Sequence, residues 1–295
     1  MAQIWKCSGN DIRTMPQELW EKDLSILSNP KEMSEALLFW KELENRKEMV
    51  LPLVQNLEGA VLGAGVMKRE NYWTTGDYPF STLKEIEPDQ FSLMKDDRIQ
   101  AVLAVIKTLR DEPLILEVEA PFSVLASLVN PMDLYLSMQA EPELLENILK
   151  RIVSEESKYI EAGVQAGCHI FSMAEPAGTL DMVGEKYFKE CSGKAAVMLL
   201  KEIEGFLSDS VVHLCGKLSS SMIAVQMAEE EEYSVNSEEY LENLLEIAKN
   251  PEIHFVGQRC IHQKKNRTGI VYVLKLSVGE YYNAQEFKFG INQTT

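Results

Sequence analysis

The sequence has no apolar run long enough to span a bilayer, and its first residues, Met1-Ala2-Gln3-Ile4-Trp5-Lys6, lack the apolar core of a secretory signal. A cytoplasmic chain is expected. Cysteine is scarce: five residues, Cys7, Cys168, Cys191, Cys215 and Cys260, at irregular spacings and in odd number. That excludes a disulfide framework and leaves reduced thiols available to bind metal. Positive charge is also short, with 29 Lys and Arg against 46 Asp and Glu and a formal net charge of -17. Such a chain has no basic face to offset phosphates, so nucleic acid is excluded as a partner and anionic membrane surfaces are disfavoured. A dinucleotide fingerprint is missing too, because Gly59, Gly63 and Gly65 are wrongly spaced for G-x-G-x-x-G.

What is present is a globular composition, 45% apolar and 25% charged over 295 residues, enough to bury a large core. Strand-like runs alternate with helical ones. Met49 to Val54, Pro113 to Ala120, Cys168 to Met173, Val211 to Cys215, Ile253 to Gly257 and Ile270 to Leu276 read as strands. Between them, Ile86 to Arg110, Pro121 to Val129, Pro142 to Gly163, Asp181 to Phe206 and Ser237 to Lys249 read as helices. Residues 70 to 82 read as an irregular loop and the acidic run Glu229 to Glu232 as a solvated one, with a brief strand near Tyr233-Ser234-Val235. The alternation predicts an α/β fold with a parallel sheet, and the number of units a (β/α)8 TIM barrel. The barrel is expected as a single domain over 1-295, with extra N-terminal helices over about 1-45. No linker divides it.

The candidate site is built around Val211-Val212-His213-Leu214-Cys215-Gly216. Side chains two apart on a strand share a face, so His213 and Cys215 are two ligands of the kinds zinc prefers. Cys260, after the run Ile253-His254-Phe255-Val256-Gly257, is the candidate third metal ligand, and His262 a reserve. In a barrel, strand C-terminal ends share one mouth, where Glu117, Glu119 and Glu175 would join these residues. Glu175 is the candidate catalytic carboxylate, as a proton carrier or a displaceable fourth ligand. Cys168 and His169 open their strand and are expected to be structural.

His213-Leu214-Cys215-Gly216 resembles the H-x-C-G zinc motif of the methylcobamide:thiol methyltransferases of coenzyme M type, within the uroporphyrinogen decarboxylase superfamily. Agreeing stretches are Leu57-Glu58 with Gly63-Ala64, Ala120-Pro121-Phe122-Ser123, Glu161-Ala162-Gly163 and Val256-Gly257-Gln258, over roughly residues 30 to 276. The resemblance implies zinc, a methylated corrinoid supplied by a partner corrinoid protein, and a small-molecule thiol or methylated substrate, with the methyl group moving in either direction. Two departures stand out. The last-strand cysteine of that family is absent from Leu274-Lys275-Leu276-Ser277-Val278-Gly279, so Cys260 would substitute, and the stretch after His213 is short, so the C-terminal end of the barrel is expected to be trimmed or rearranged. A porphyrin-binding arginine motif is not recognisable, since residues 1 to 30 hold only Arg13. A decarboxylase of the same superfamily and a non-catalytic barrel that binds a corrinoid protein are the alternatives.

Overall fold

A computed structural model describes residues 14–277. Cys7, Arg13 and the rest of residues 1–13, and Val278-Gly279 of the last-strand stretch, lie outside them. In chain order the strands are β1 (Met49–Leu51), β2 (Val66–Arg69), β3 (Tyr72–Thr75), β4 (Leu114–Glu119), β5 (Ile170–Ala174), β6 (Val211–Cys215), β7 (Ala228–Ser234), β8 (Phe255–Arg259) and β9 (Ile270–Leu276). The expected α/β architecture is present: β1, β4, β5, β6 and β8 pair in that order, all parallel. Each successive strand lies beside its predecessor, as in the wall of a TIM barrel. The C-terminal end is rearranged, because β9 returns antiparallel to β8, and β7 pairs antiparallel with β9 at the outer edge. Among the described residues β1 and β7 end the sheet without pairing to each other.

Local sequence explains the helices that back this wall. Asn29 caps Pro30–Leu43 by accepting from Glu32 N at 3.3 Å, and Asp96 caps Asp97–Thr108 by accepting from Arg98 N at 2.9 Å. Pro142 starts the helix Pro142–Ala166 at its first turn, and Gly167, at φ +102°, ends it in the left-handed conformation a Cβ would resist. The helices Gln17–Trp20 and Pro30–Leu43 precede β1, as expected of the N-terminal extension.

Several expectations are corrected. Glu229 to Glu232 lie within β7, because pairing with β9 overrides their polarity; their exposed charges blunt a sheet edge. Residues 70 to 82 include β3, which forms a hairpin with β2 through Asn71 at φ +63°. Its Trp73, 1% exposed, is core. The helix expected from Ile86 begins only at Asp97, after three short 3-10 turns.

Alternation along the strands gives the sheet two unlike faces. Leu51, Leu116, Phe171 and Val212 join the main core beneath the backing helices. Val50, Ile115, Ile170, Val211 and Val256 form a second core on the opposite face, closed by Tyr240, Leu244 and Ile247 of the helix Tyr240–Ile247. That helix thus covers the inner face and not the outer one. Burying each of its large side chains contributes roughly 1.5–3 kcal/mol.

Candidate functional site

Toward the strand C-termini, the same inner face turns polar. Ile115 is followed on its side by Glu117 and Glu119, Ile170 by Ser172, and Val211 by His213 and Cys215. An apolar floor therefore lies under a chemically rich rim. The rim borders a cavity of about 350 Å³, lined among others by Glu117, Glu119, Glu175, Cys215, Lys217, Cys260 and His262.

A bulge brings the two thiols to this cavity. His213 is in register with Val256 but Cys215 with Arg259, so β8 spends one residue more than β6 over the same span. Gln258 takes the strain at φ +65°, its amide donating to Ser219 Oγ at 2.9 Å. Gly257 is required here: a Cβ would sit 2.6 Å from Ser219 Cβ. Cys260 then follows directly after the register partner of Cys215. Cys215 caps the helix Gly216–Ala224, its Sγ accepting from Leu218 N at 3.5 Å. Burial raises the Cys215 thiol above its ordinary range, while this amide and the Glu175 amide favour the thiolate.

His213 is not on the cavity wall. It is 0% exposed, mid-strand, and neither ring nitrogen makes a hydrogen bond of normal geometry. Burial pulls its pKa down to about 3, with further lowering from His262 and Arg259, so the ring is neutral, the form that binds metal. Tyr240 meets it edge to face at 5.9 Å between centroids, and the Arg259 guanidinium lies 4.8 Å over the Tyr240 ring. Among the described residues no three of His, Cys, Asp and Glu are gathered closely enough to hold a metal ion.

Glu175 is 0% exposed, and its carboxyl is well supplied with donors. Ser123 Oγ and Gly178 N (2.9 Å) donate to Oε1, and Ser123 N (3.3 Å) to Oε2. Burial nonetheless pushes it up to about 8, against those bonds. Glu119 is held well above the ordinary carboxyl range by burial and then by Glu58, Glu175 and Glu117, and its Oε2 has no partner. His262 Nε2 stands 3.6 Å from Glu117 Oε1. Cys168 and His169 are far from this chemistry: Cys168 Sγ bonds Ile170 O at 3.3 Å and His169 Nδ1 pairs with Asp209 O at 3.0 Å.

Sequence reasoning missed four residues around the site. Tyr240 and Arg259 gave no signal, since only the tertiary fold sets Tyr240 edge to face with His213 and lays Arg259 over the Tyr240 ring. Glu58 and Glu156, each 1% exposed with both carboxyl oxygens unpartnered, also lie in the buried acidic group behind the rim. Glu58 does stand in the Leu57-Glu58 stretch already noted, but a glutamate in sequence reads as solvent-facing.

Among the described residues, no helix is long and apolar enough to cross a membrane. In a comparison with solved structures, the chain is similar to a methyltransferase from Methanosarcina mazei, with a TM-score of 0.56 and 19% sequence identity over 72% of this chain and 66% of that one, a likeness of fold. Among curated proteins it is 26% identical, over 202 residues, to Methylcobamide:CoM methyltransferase MtaA of Methanosarcina barkeri (strain Fusaro / DSM 804). A second Methanosarcina barkeri protein of that name is 25% identical over 202 residues. Both matches cover 65% of this chain, which spans 58% of the length of those relatives. The family model described as uroporphyrinogen decarboxylase (URO-D) matches residues 57–261, more than half of the sequence and the whole stretch from the Leu57-Glu58 turn to the cavity wall at Ile261, and the chain belongs to that family.

Proposed function

We propose that the protein is a zinc-dependent, corrinoid-linked methyltransferase, moving a methyl group between a corrinoid protein and a thiol or another small methyl acceptor or donor. The observation that carries this reading is the placing of two thiols, Cys215 and Cys260, from neighbouring parallel strands on one cavity wall, in a chain whose relatives are named methyltransferases.

The donor set fits zinc in kind. Two thiols face the cavity, and a buried neutral imidazole with no hydrogen-bond partner stands behind them. His213, Cys215 and Cys260 would hold the ion, and zinc there would lower the pKa of an incoming thiol. The chain's own residues supply the rest. The capping amide of Leu218 and the amide of Glu175 favour the Cys215 thiolate, the apolar floor keeps water from below, and the Glu175 carboxyl, on the cavity lining, would accept or return the proton of the reacting thiol. The sulfur of that thiol, once deprotonated, takes the methyl group: an S–C bond forms, and the electron pair of the broken bond to carbon stays with the corrinoid, which arrives as the partner's cargo.

A second reading, a barrel that binds a corrinoid protein or small ligand without metal, is favoured by the lack of convergence of three ligands among the described residues. Elemental analysis of reduced protein separates the two. About one zinc per chain, much less in Cys260→Ser and Cys215→Ser, together with methyl transfer from methylcobalamin to a thiol, supports the methyltransferase. A chain that stays metal-free when zinc is offered sinks it.

A further inference from the structure

Cys215 and Cys260 are neighbours across two hydrogen-bonded parallel strands. Cys215 is in register with Arg259 of β8, and Cys260 is the residue that follows. Strands about 4.8 Å apart that rise about 3.3 Å per residue put the Cα atoms of Cys215 and Cys260 at about 6 Å, inside the roughly 4.4–6.8 Å over which two cysteines can be joined. Both residues line the same cavity, so nothing in the sheet stands between them.

The two are held differently. Cys215 closes β6 and caps Gly216–Ala224, its Sγ accepting from Leu218 N at 3.5 Å. Cys260 lies one residue beyond β8, on a turn in which Gln263 N donates to Cys260 O at 3.1 Å. A turn outside the ladder can shift by the small amount that disulfide geometry demands, while Cys215 stays fixed. The remaining described cysteines are placed elsewhere. Cys168 is 1% exposed with its Sγ bonded to Ile170 O, and Cys191 is 8% exposed in a separate small cavity beside Met138 and Tyr187.

We propose that Cys215 and Cys260 form a reversible disulfide in the zinc-free chain, with a small-molecule disulfide as the oxidant. The Cys260 sulfur attacks one sulfur of the small disulfide; that S–S bond breaks, and its other half leaves as a thiol carrying the Cys260 proton. The Cys215 sulfur then attacks the Cys260 sulfur, forming the protein S–S bond and expelling the second half as a thiol carrying the Cys215 proton. The chain gives up two electrons and two protons, and one small disulfide becomes two small thiols. Oxidation takes both sulfur donors from the cavity wall, so the oxidised chain loses its zinc site, and bound zinc shields the pair in turn. One consequence rests on the methyltransferase reading: the disulfide form of the acceptor's own thiol pool would switch the enzyme off.

The test uses the full chain in a Cys7→Ser background, which leaves the four described cysteines. Zinc-free protein is incubated with oxidised glutathione, quenched in acid and alkylated. Two of the four thiols should be lost, the intact mass should fall by two hydrogens with no glutathione attached, and peptide mapping should join Cys215 to Cys260. Dithiothreitol should restore both thiols. Zinc-loaded protein should oxidise at least about tenfold more slowly. Cys215→Ser and Cys260→Ser, with circular dichroism as the check on folding, should each end as a lasting glutathione adduct on the cysteine that remains. A glutathione adduct that persists on either cysteine of the otherwise unaltered chain, a disulfide to Cys168 or Cys191, or no oxidation of the pair overturns the proposal. A Cys215 to Cys260 disulfide in a chain that takes up no zinc and transfers no methyl group would instead overturn the methyltransferase reading and leave this one standing, so the two failures are distinguishable.

Discussion

Tyr240 and His213 meet edge to face, their ring centroids 5.9 Å apart and their planes at 78°. The contact joins the helix that closes the inner face to the strand that carries the candidate site, so the apolar floor and the chemistry above it share one packing unit. Tyr240 is 1% exposed, yet its hydroxyl has no hydrogen-bond partner. Burial pushes that hydroxyl well above the ordinary tyrosine range.

Two substitutions at Tyr240 should therefore part ways. Tyr240→Ala opens a cavity beneath His213 and should cost roughly 3–5 kcal/mol in urea unfolding. Tyr240→Phe keeps the ring and removes only an unpartnered hydroxyl, so stability should hold or rise by about 1 kcal/mol. A large loss in Tyr240→Phe would show that the hydroxyl has a bonding role.

How far the sequence disclosed this arrangement depends on the range of the forces involved. The period-2 face shared by His213 and Cys215 was legible, because it follows from strand geometry alone. So were the helix limits at Pro142 and Gly167, which are local backbone effects. The strand at Glu229 to Glu232 was not, since Ala228 pairs with Leu276 and only that distant pairing makes four glutamates extended. Nor was the burial of Glu156, which sits among the helical stripe residues of Pro142–Ala166 but carries a charge that pattern reading assigns to solvent. The bulge at Gly257-Gln258 is likewise set by Ser219, 39 positions away from Gln258.

The buried carboxyls should leave a signature in the pH dependence of stability. Burial raises Glu58 from 4.5 to about 7 and holds Glu119 and Glu156 well above their ordinary value. The folded chain then keeps protons that the unfolded chain releases, so stability is fully present below the unfolded pKa and falls as pH rises from about 4.5 toward the folded values. For Glu58 alone the rise to about 7 corresponds to roughly 3 kcal/mol. Asp96 and Glu146, held low by Arg98 and by Lys194 and Lys150 against the cost of burial, act in the opposite sense only at lower pH. Urea midpoints should be higher at pH 5 than at pH 8, and Glu156→Gln should flatten the difference. Stability that climbs steadily from pH 5 to pH 8 contradicts the burial of these groups.

Ser123 links the helix Pro121–Leu128 to Glu175 through both its amide and its hydroxyl, and the hydroxyl also accepts from Ala177 N at 3.0 Å. Ser123→Ala leaves a buried carboxyl short of a donor, which should cost about 1–3 kcal/mol in chemical unfolding. Losing a bond that favours the charged form should also move the Glu175 pKa further above about 8. An unchanged stability would show that water replaces the hydroxyl.

His213 separates a metal-binding role from a structural one. Its imidazole is neutral, 0% exposed and without a hydrogen bond of normal geometry, so in zinc-free protein it is a buried polar group that contributes little beyond packing. His213→Leu keeps much of the volume against Tyr240 and removes the desolvated nitrogens. Zinc-free His213→Leu should therefore be as stable as the parent, or more stable by about 1–3 kcal/mol, in urea unfolding. Zinc affinity, read by competition with a chromophoric chelator, should fall roughly 100-fold or more, because two thiols alone cannot complete the site. If the zinc-free variant is strongly destabilised, the ring holds the second core together by a bond of its own. If zinc affinity is unchanged, the ion is held at the cavity wall by Cys215 and Cys260 with His262, and His213 belongs to the floor beneath them.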